Sequence, residues 1–185
     1  MATVDPTCMV VKALALLDSD GKRIVVKYYT PEWSTVTQQA EFEKSLFSKT
    51  CKTNARGEAE IILFDDLVVV YKSLGDLTFY VTGSQSENEL VLCGVLQAFY
   101  ESVTLLLRSA VEKKTALENL DQVLLVMDEI VDNGLILEMD PQTVAARVGM
   151  RSGDGAEVPF AEQTFSQAFA RAKEHLALGN WTMQK

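Results

Sequence analysis

The chain has 185 residues, 48% of them hydrophobic, and a net charge of −9. That is enough apolar material for one domain with a substantial core plus an extension, and too much for a disordered chain. The charge excludes nucleic-acid binding by counterion release, which needs a basic surface, and it disfavours direct docking on an anionic leaflet. No apolar run approaches the length of a membrane span, and the first residues, MATVDPTC, lack the basic region and long apolar stretch of a signal peptide. The cysteines Cys8, Cys51 and Cys93 are far apart and odd in number, which points to a reducing cytosolic setting rather than a disulfide framework or a zinc site.

Residues 9–17, MVVKALALL, are apolar with one Lys and predict a buried strand. Asp18-Ser19-Asp20-Gly21 is turn chemistry, and 22–29, KRIVVKYY, is rich in β-branched and aromatic residues, so the two runs form a hairpin. Asp18-x-Asp20-Gly21 also matches the opening of a calcium loop but lacks its later ligands, which leaves the hairpin as the better reading. Pro31 ends the second strand, and 34–51 is helical with a mixed pattern over Val36, Ala40, Phe42 and Phe47. Strands follow at 60–64, 67–74 and 77–82, joined by Asp65-Asp66 and Gly75-Asp76; connections this short force antiparallel neighbours.

Residues 89–108 form a long helix with a stripe at Leu92, Val95, Leu96, Phe99, Val103 and Leu106. Leu90, Leu105 and Leu107 carry the apolar surface further round the cylinder than one packing face requires. Either the helix is buried between the sheet and the next helix, or part of it meets another chain. A second helix begins at a capping box, Thr115 with Glu118, and runs its stripe through Leu117, Leu120, Leu124, Met127 and Val131 until Asn133-Gly134 closes it. Leu135, Ile136 and Leu137 form a short apolar segment, and Asp140-Pro141 caps and starts a short helix over 141–148. Residues 149–159, GMRSGDGAEVP, read as a flexible linker. Helical spacing resumes through Phe165, Phe169, Ala172 and Leu176, giving a C-terminal amphipathic helix over 160–179 with a mixed polar face suited to a partner groove or to return packing. The order implies an α+β domain over 9–148: a five-stranded antiparallel sheet with helices on its faces, plus a C-terminal helical extension.

Little in the chain is equipped for a reaction. His175 is the only histidine and has no Cys or Ser partner near it in sequence. The phosphate-cradling G-x-x-x-x-G-K-[ST], G-x-G-x-x-G and G-x-S-x-G patterns are missing. Asp128 and Asp132 lie one helical turn apart beside Glu129, yet no complementary metal-ligand set is recognisable, and a polar helix face explains them better. The expectation is a protein with no catalytic residues, no metal and no cofactor.

Three collinear segments carry a resemblance: VKALALLDSDGKRIVVKYY (11–29), FDDLVVVYKSLGDLTFYVTG (64–83) and VMDEIVDNGLILEMDP (126–141). They resemble the zeta subunits of coatomer and, more distantly, the sigma subunits of clathrin adaptors. The resemblance implies a longin-like fold and a non-catalytic coat subunit that pairs with the trunk of gamma-coatomer inside the heptameric coat. It implies a cytoplasmic protein, peripheral on Golgi membranes and coated vesicles. An Arf-family GTPase would recruit the coat, so that membrane contact is indirect, for Golgi-to-ER retrograde and intra-Golgi transport. The alternatives are a cargo-signal subunit of an adaptor complex and a longin-domain regulator of a GTPase or membrane-fusion system.

Adaptor sigma subunits help to bind acidic dileucine signals, and the resemblance places that site on a few positions here. The adaptor's basic residue falls on Ile24, with Lys22 and Arg23 adjacent; two small apolar pocket positions fall on Tyr100 and Ala110; Leu77 still agrees. A tyrosine at that position fills a pocket built for a leucine, so dileucine binding in the adaptor manner is not expected. Candidate partner-contact residues are Phe42, Phe47, Leu105 and Leu107.

Overall fold

The computed structural model describes residues 9–52, 57–108 and 111–152. β1 (Val11–Asp18) and β2 (Arg23–Tyr28) pair antiparallel across the predicted turn, where Gly21 takes a φ of +75°. Asp18 Oδ1 fixes the turn by accepting from the backbone N–H groups of Asp20 and Lys22 at 2.9 and 2.8 Å. After a 3-10 turn at Pro31–Trp33 comes α1 (Val36–Thr50). Its start is a capping box at Thr35 and Gln38, whose side chains each accept from the other's backbone N–H.

β3 (Glu60–Phe64), β4 (Leu67–Leu74) and β5 (Leu77–Ser84) complete one antiparallel sheet in the order β2-β1-β5-β4-β3. Alternation along β4 shows its two faces: Val68 and Val70 join one core layer, Val69 and Tyr71 the other. α1 covers the second face. The first is covered by α2 (Glu89–Leu106), capped by Asn88 Oδ1 on the Leu90 N–H at 2.9 Å. By length and composition α2 passes for a membrane span, but its stripe of Leu92, Val95, Leu96, Phe99 and Val103 is buried against the sheet.

The predicted second helix is two helices, α3 (Lys113–Glu118) and α4 (Leu120–Ile130), divided at Asn119. The capping box expected between Thr115 and Glu118 does not form, because Thr115 already lies inside α3. The first amide of α3, on Lys113, donates instead to Asp76 Oδ1 at 2.8 Å, a cap supplied by the β4–β5 turn. The buried stripe is Ala116, Val123, Val126, Met127 and Ile130, whereas Leu117 is exposed. A small alanine packs inward here and a larger leucine outward, which hydrophobicity by residue type cannot foresee.

Asn133-Gly134 is a hairpin turn rather than a helix end. Val131 is already extended, and β6 (Val131–Asp132) pairs with β7 (Leu135–Ile136). Asn133 and Gly134 have φ of 48° and 85°, the double positive pair of a two-residue turn. The small hairpin is tied to β1 by the Val11 N–H donating to the Gly134 carbonyl at 2.8 Å. α5 (Pro141–Ser152) starts where predicted, with Asp140 Oδ2 accepting from the Thr143 N–H at 2.8 Å. It runs past 148, so residues 149–152 continue the helix instead of opening the linker. The rest of the predicted linker, the helix at 160–179 with His175, and Cys8 lie outside the described residues.

Candidate partner-binding surfaces

The buried polar groups come first, since a reactive site would draw on them. Glu43 is buried on the inner side of α1, where its carboxylate accepts from Arg23 Nε at 3.1 Å and from the Tyr28 hydroxyl at 2.7 Å. Burial, then the bond to Glu43, pushes the Tyr28 phenol up. Asp18 is buried at the end of β1, and its Oδ2 has the Lys113 ammonium 2.7 Å away. Burial raises its carboxyl pKa, but Lys113 and the amides of Lys22 and Asp20 outweigh that and hold it below the usual 3.8. Thr50 and Tyr80 share a hydrogen bond of 2.8 Å, and burial pushes Tyr80 up to about 12. Asp128 pairs with Lys27, and Glu129 with Arg147 at 3.6 Å. Each of these groups is engaged in joining one element to another. Among the described residues no group of three His, Cys, Asp or Glu side chains is placed to hold a metal ion.

Of the predicted cargo-site positions, Leu77 and Tyr100 come together on the α2 face of the sheet. Leu77 is opposite Asp18 in the β1–β5 register, and Lys22 follows Asp18 in the hairpin turn. Tyr100 meets Phe79 edge-on with ring centroids 5.6 Å apart, and Phe79 lies two residues along β5 from Leu77. Between Leu77 and Tyr100 the packing is close: Leu77 is 1% exposed, Phe79 is fully buried, and the Lys72 ammonium sits 4.3 Å above the Tyr100 ring. Lys22 is exposed at the hairpin, and Ala110 lies outside the described residues.

Two cavities among the described residues bear on these positions. One, of about 150 Å³, lies at the β4–β5 turn among Thr50, Ser73, Asp76, Leu77, Thr78 and Tyr80. The other, of about 240 Å³, lies beside α2, lined by Lys72, Cys93, Leu96 and Tyr100 with Glu58, Gln97 and Glu101. Burial, then the charge of Glu89, pushes the Cys93 thiol up.

The four candidate contact residues separate. Phe42 is buried between Trp33 and Phe64, at centroid distances of 4.5 and 5.8 Å. Phe47 is half-buried against Gly21, and Leu107 is buried. Leu105 is left on the surface, 41% exposed. Sequence reasoning did not select the other exposed apolar residues: Leu137 and Met139 after the small hairpin, and Ile61 and Leu63 on β3. Met139 Sδ lies against Gly94, so that group borders the outer side of α2 near Leu90. No periodicity marks these positions, because their exposure follows from which neighbour a strand or loop lacks.

A family model described as clathrin adaptor complex small chain matches residues 10–154. The chain belongs to this family. It is 54% identical to coatomer subunit zeta-2 of Arabidopsis thaliana over 171 residues, which are 92% of this chain and 95% of the relative. It is 47% identical to coatomer subunit zeta-1 of Homo sapiens over 173 residues, 94% of each. Among solved structures it superposes on a chain of a homology model of the full-length AP-3 complex in a stretched open conformation, with a TM-score of 0.63 at 20% identity over 85% of this chain and 98% of that one. That likeness concerns the fold: the five-stranded sheet with helices on both faces is the longin-like arrangement of adaptor small chains.

Proposed function

We propose that this chain is a non-catalytic small subunit of a coatomer-type vesicle coat. One observation carries the reading: identity near one half across almost the whole of the coatomer zeta relatives, with no large part of either chain left over. The engagement of Glu43, Asp18, Thr50 and Tyr80 in cross-links between elements supports a scaffold role. The partner is the trunk of gamma-coatomer within the heptamer. The subunit acts in the cytoplasm, peripheral on Golgi membranes, in Golgi-to-ER and intra-Golgi transport, and meets an Arf-family GTPase only through the coat. Its adaptor-type domain spans residue 9 to the end of α5 at 152, followed by a linker and a tail helix at 160–179.

Exposed Leu105, with Leu90, Leu137 and Met139 along the outer side of α2, is the surface to which we assign the large subunit. Apolar area buried there contributes roughly 25 cal/mol per Å² before association costs. Co-expression with a gamma-coatomer trunk, followed by size-exclusion chromatography with light scattering, tests the reading. A one-to-one complex that survives high salt is expected, since salt weakens mainly exposed charge contacts. Two separate, well-behaved peaks refute it.

The cargo-reader alternative needs a vacancy near Leu77. The wedging of Tyr100 between Phe79 and Lys72 favours a subunit that does not take a dileucine side chain there. An acidic dileucine peptide is expected not to bind, and binding abolished by Tyr100→Ala would overturn that. Leu77→Ser is a poorer probe, because Leu77 belongs to the core and its loss acts on folding.

A further inference from the structure

The two edges of the sheet differ. β2 has the α3–α4 layer beside it, with the Lys27–Asp128 pair and the Tyr29 hydroxyl on the Val131 carbonyl at 3.3 Å. β3 pairs with β4 on one side, and among the described residues no strand lies on the other. Natural edges are guarded by short length, charged residues, proline or a bulge. β3, Glu-Ile-Ile-Leu-Phe, is short and opens on Glu60, but it has no lysine or proline, and its register with β4 is unbroken from Glu60 to Phe64. Ile61 and Leu63 lie opposite Val70 and Val68, which are fully buried under α2, yet they are themselves 47% and 63% exposed. The cover of α2 therefore ends between β4 and β3. The cavity of about 240 Å³ opens at the start of β3, on this same side of the sheet.

We propose that β3 accepts an extended segment of a protein partner by strand addition, with alternate apolar side chains laid over Ile61 and Leu63. The charge at the two ends of the strand selects the occupant. Exposed Glu58 precedes β3, and exposed Asp65 and Asp66 follow it. A second copy is disfavoured in both directions. Antiparallel pairing centred on Ile62 sets Glu58 against Asp66, and parallel pairing sets each acid beside its own copy; like charges directly opposite destabilise a strand pair. An apolar segment flanked by Lys or Arg meets the same acids favourably. Five paired residues span about 17 Å, so the segment is short. The edge of β3 is a different element from the outer side of α2 assigned above to the large subunit, and the cavity between them reaches Gln97 and Glu101 on that helix.

The test uses the full chain and a displayed library of nonapeptides with two lysines at each end and Val, Ile, Leu, Phe, Thr or Ser at the five central positions. Enriched peptides should alternate apolar residues. They should bind Leu63→Lys and Ile61→Lys at least tenfold more weakly than the parent chain, and bind Val36→Lys, changed at an exposed site on α1, unaltered. Both lysine variants are surface changes of the kind edge strands carry naturally, so folding is retained. On binding, the alternate amides of 60–64 that point away from β4 should exchange at least tenfold more slowly. Three results overturn the proposal: no enrichment over Leu63→Lys, equal affinity when the flanking lysines are replaced by glutamates, or amide protection elsewhere than β3. A dimer of the free chain that Leu63→Lys dissociates would also overturn it, by making a second copy the occupant.

Discussion

The two helical layers hold the sheet by different means. On one face α2 buries Leu92, Val95, Leu96, Ala98, Phe99, Ser102 and Val103, nearly all apolar, and α4 adds Val123, Val126, Met127 and Ile130. On the other, α1 buries Phe42, Glu43, Leu46 and Thr50, half of them polar. Non-directional apolar burial is enough to seat α2, since its wide stripe fits in few ways. α1 has too little apolar surface for that. It is oriented by directional bonds, Glu43 to Arg23 and Tyr28 and Thr50 to Tyr80, around the cluster of Trp33, Phe42 and Phe64. A mixed pattern on a helix can therefore mark a face that is latched rather than one that is free.

The largest expected effect falls on the apolar face. Phe79→Ala removes a fully buried ring that contacts Phe99 and Tyr100, and should lower unfolding free energy by about 4 kcal/mol in urea titrations. Trp33→Ala, on the half-buried aromatic cluster of the α1 face, should cost about half as much; equal losses would remove the distinction. Glu43→Ala removes the carboxylate that Tyr28 and a partly exposed Arg23 share, leaving them only the longer bonds to Gln39, and should cost about 2 kcal/mol, with Tyr28→Phe nearer 1. If both are neutral, α1 is not latched.

Asp18→Asn, at the junction of the β1–β2 turn and α3, should cost about 1 kcal/mol near neutrality. Its sign with pH follows from the lowered folded pKa. The carboxylate's contribution is complete above 3.8 and is lost as pH falls through the lower folded value, so the variant should flatten that acid limb of the stability curve. The smallest effect on stability is expected at Leu105→Asp, within about 0.5 kcal/mol because the residue is exposed. The same change should abolish co-elution with the large subunit; unchanged pairing would move the interface elsewhere.

The strand pattern and the Asp20-Gly21 turn were legible because period two and turn chemistry are local signals. α2 was legible because its stripe is wide. The stretch around Thr115–Gly134 was misread for an identifiable reason: Asn-Gly suits both a helix end and a two-residue hairpin turn, and a Thr with a Glu three residues on resembles a cap wherever it falls. Which reading won was settled by Asp76 capping α3 and by the Gly134 carbonyl receiving the Val11 amide, both contacts between residues far apart in the chain. The candidate surfaces fared less evenly. Phe42 and Leu105 look alike as exposed-or-buried candidates on a helix, yet one is packed under Trp33 and the other is on the surface.

The sequence by itself determined the α+β class, the five strands and their antiparallel sense, the long apolar helix and the acidic surface, since each rests on spacing or on charge that neighbours in the chain share. Tertiary structure alone decided which apolar residues stay outside. Among the described residues β3 has a bare edge because it is last in the sheet order, and Ile61 and Leu63 are exposed because α2 stops one strand short of them. Exposure of that kind depends on what a segment lacks beside it, and a linear chain does not record its missing neighbours.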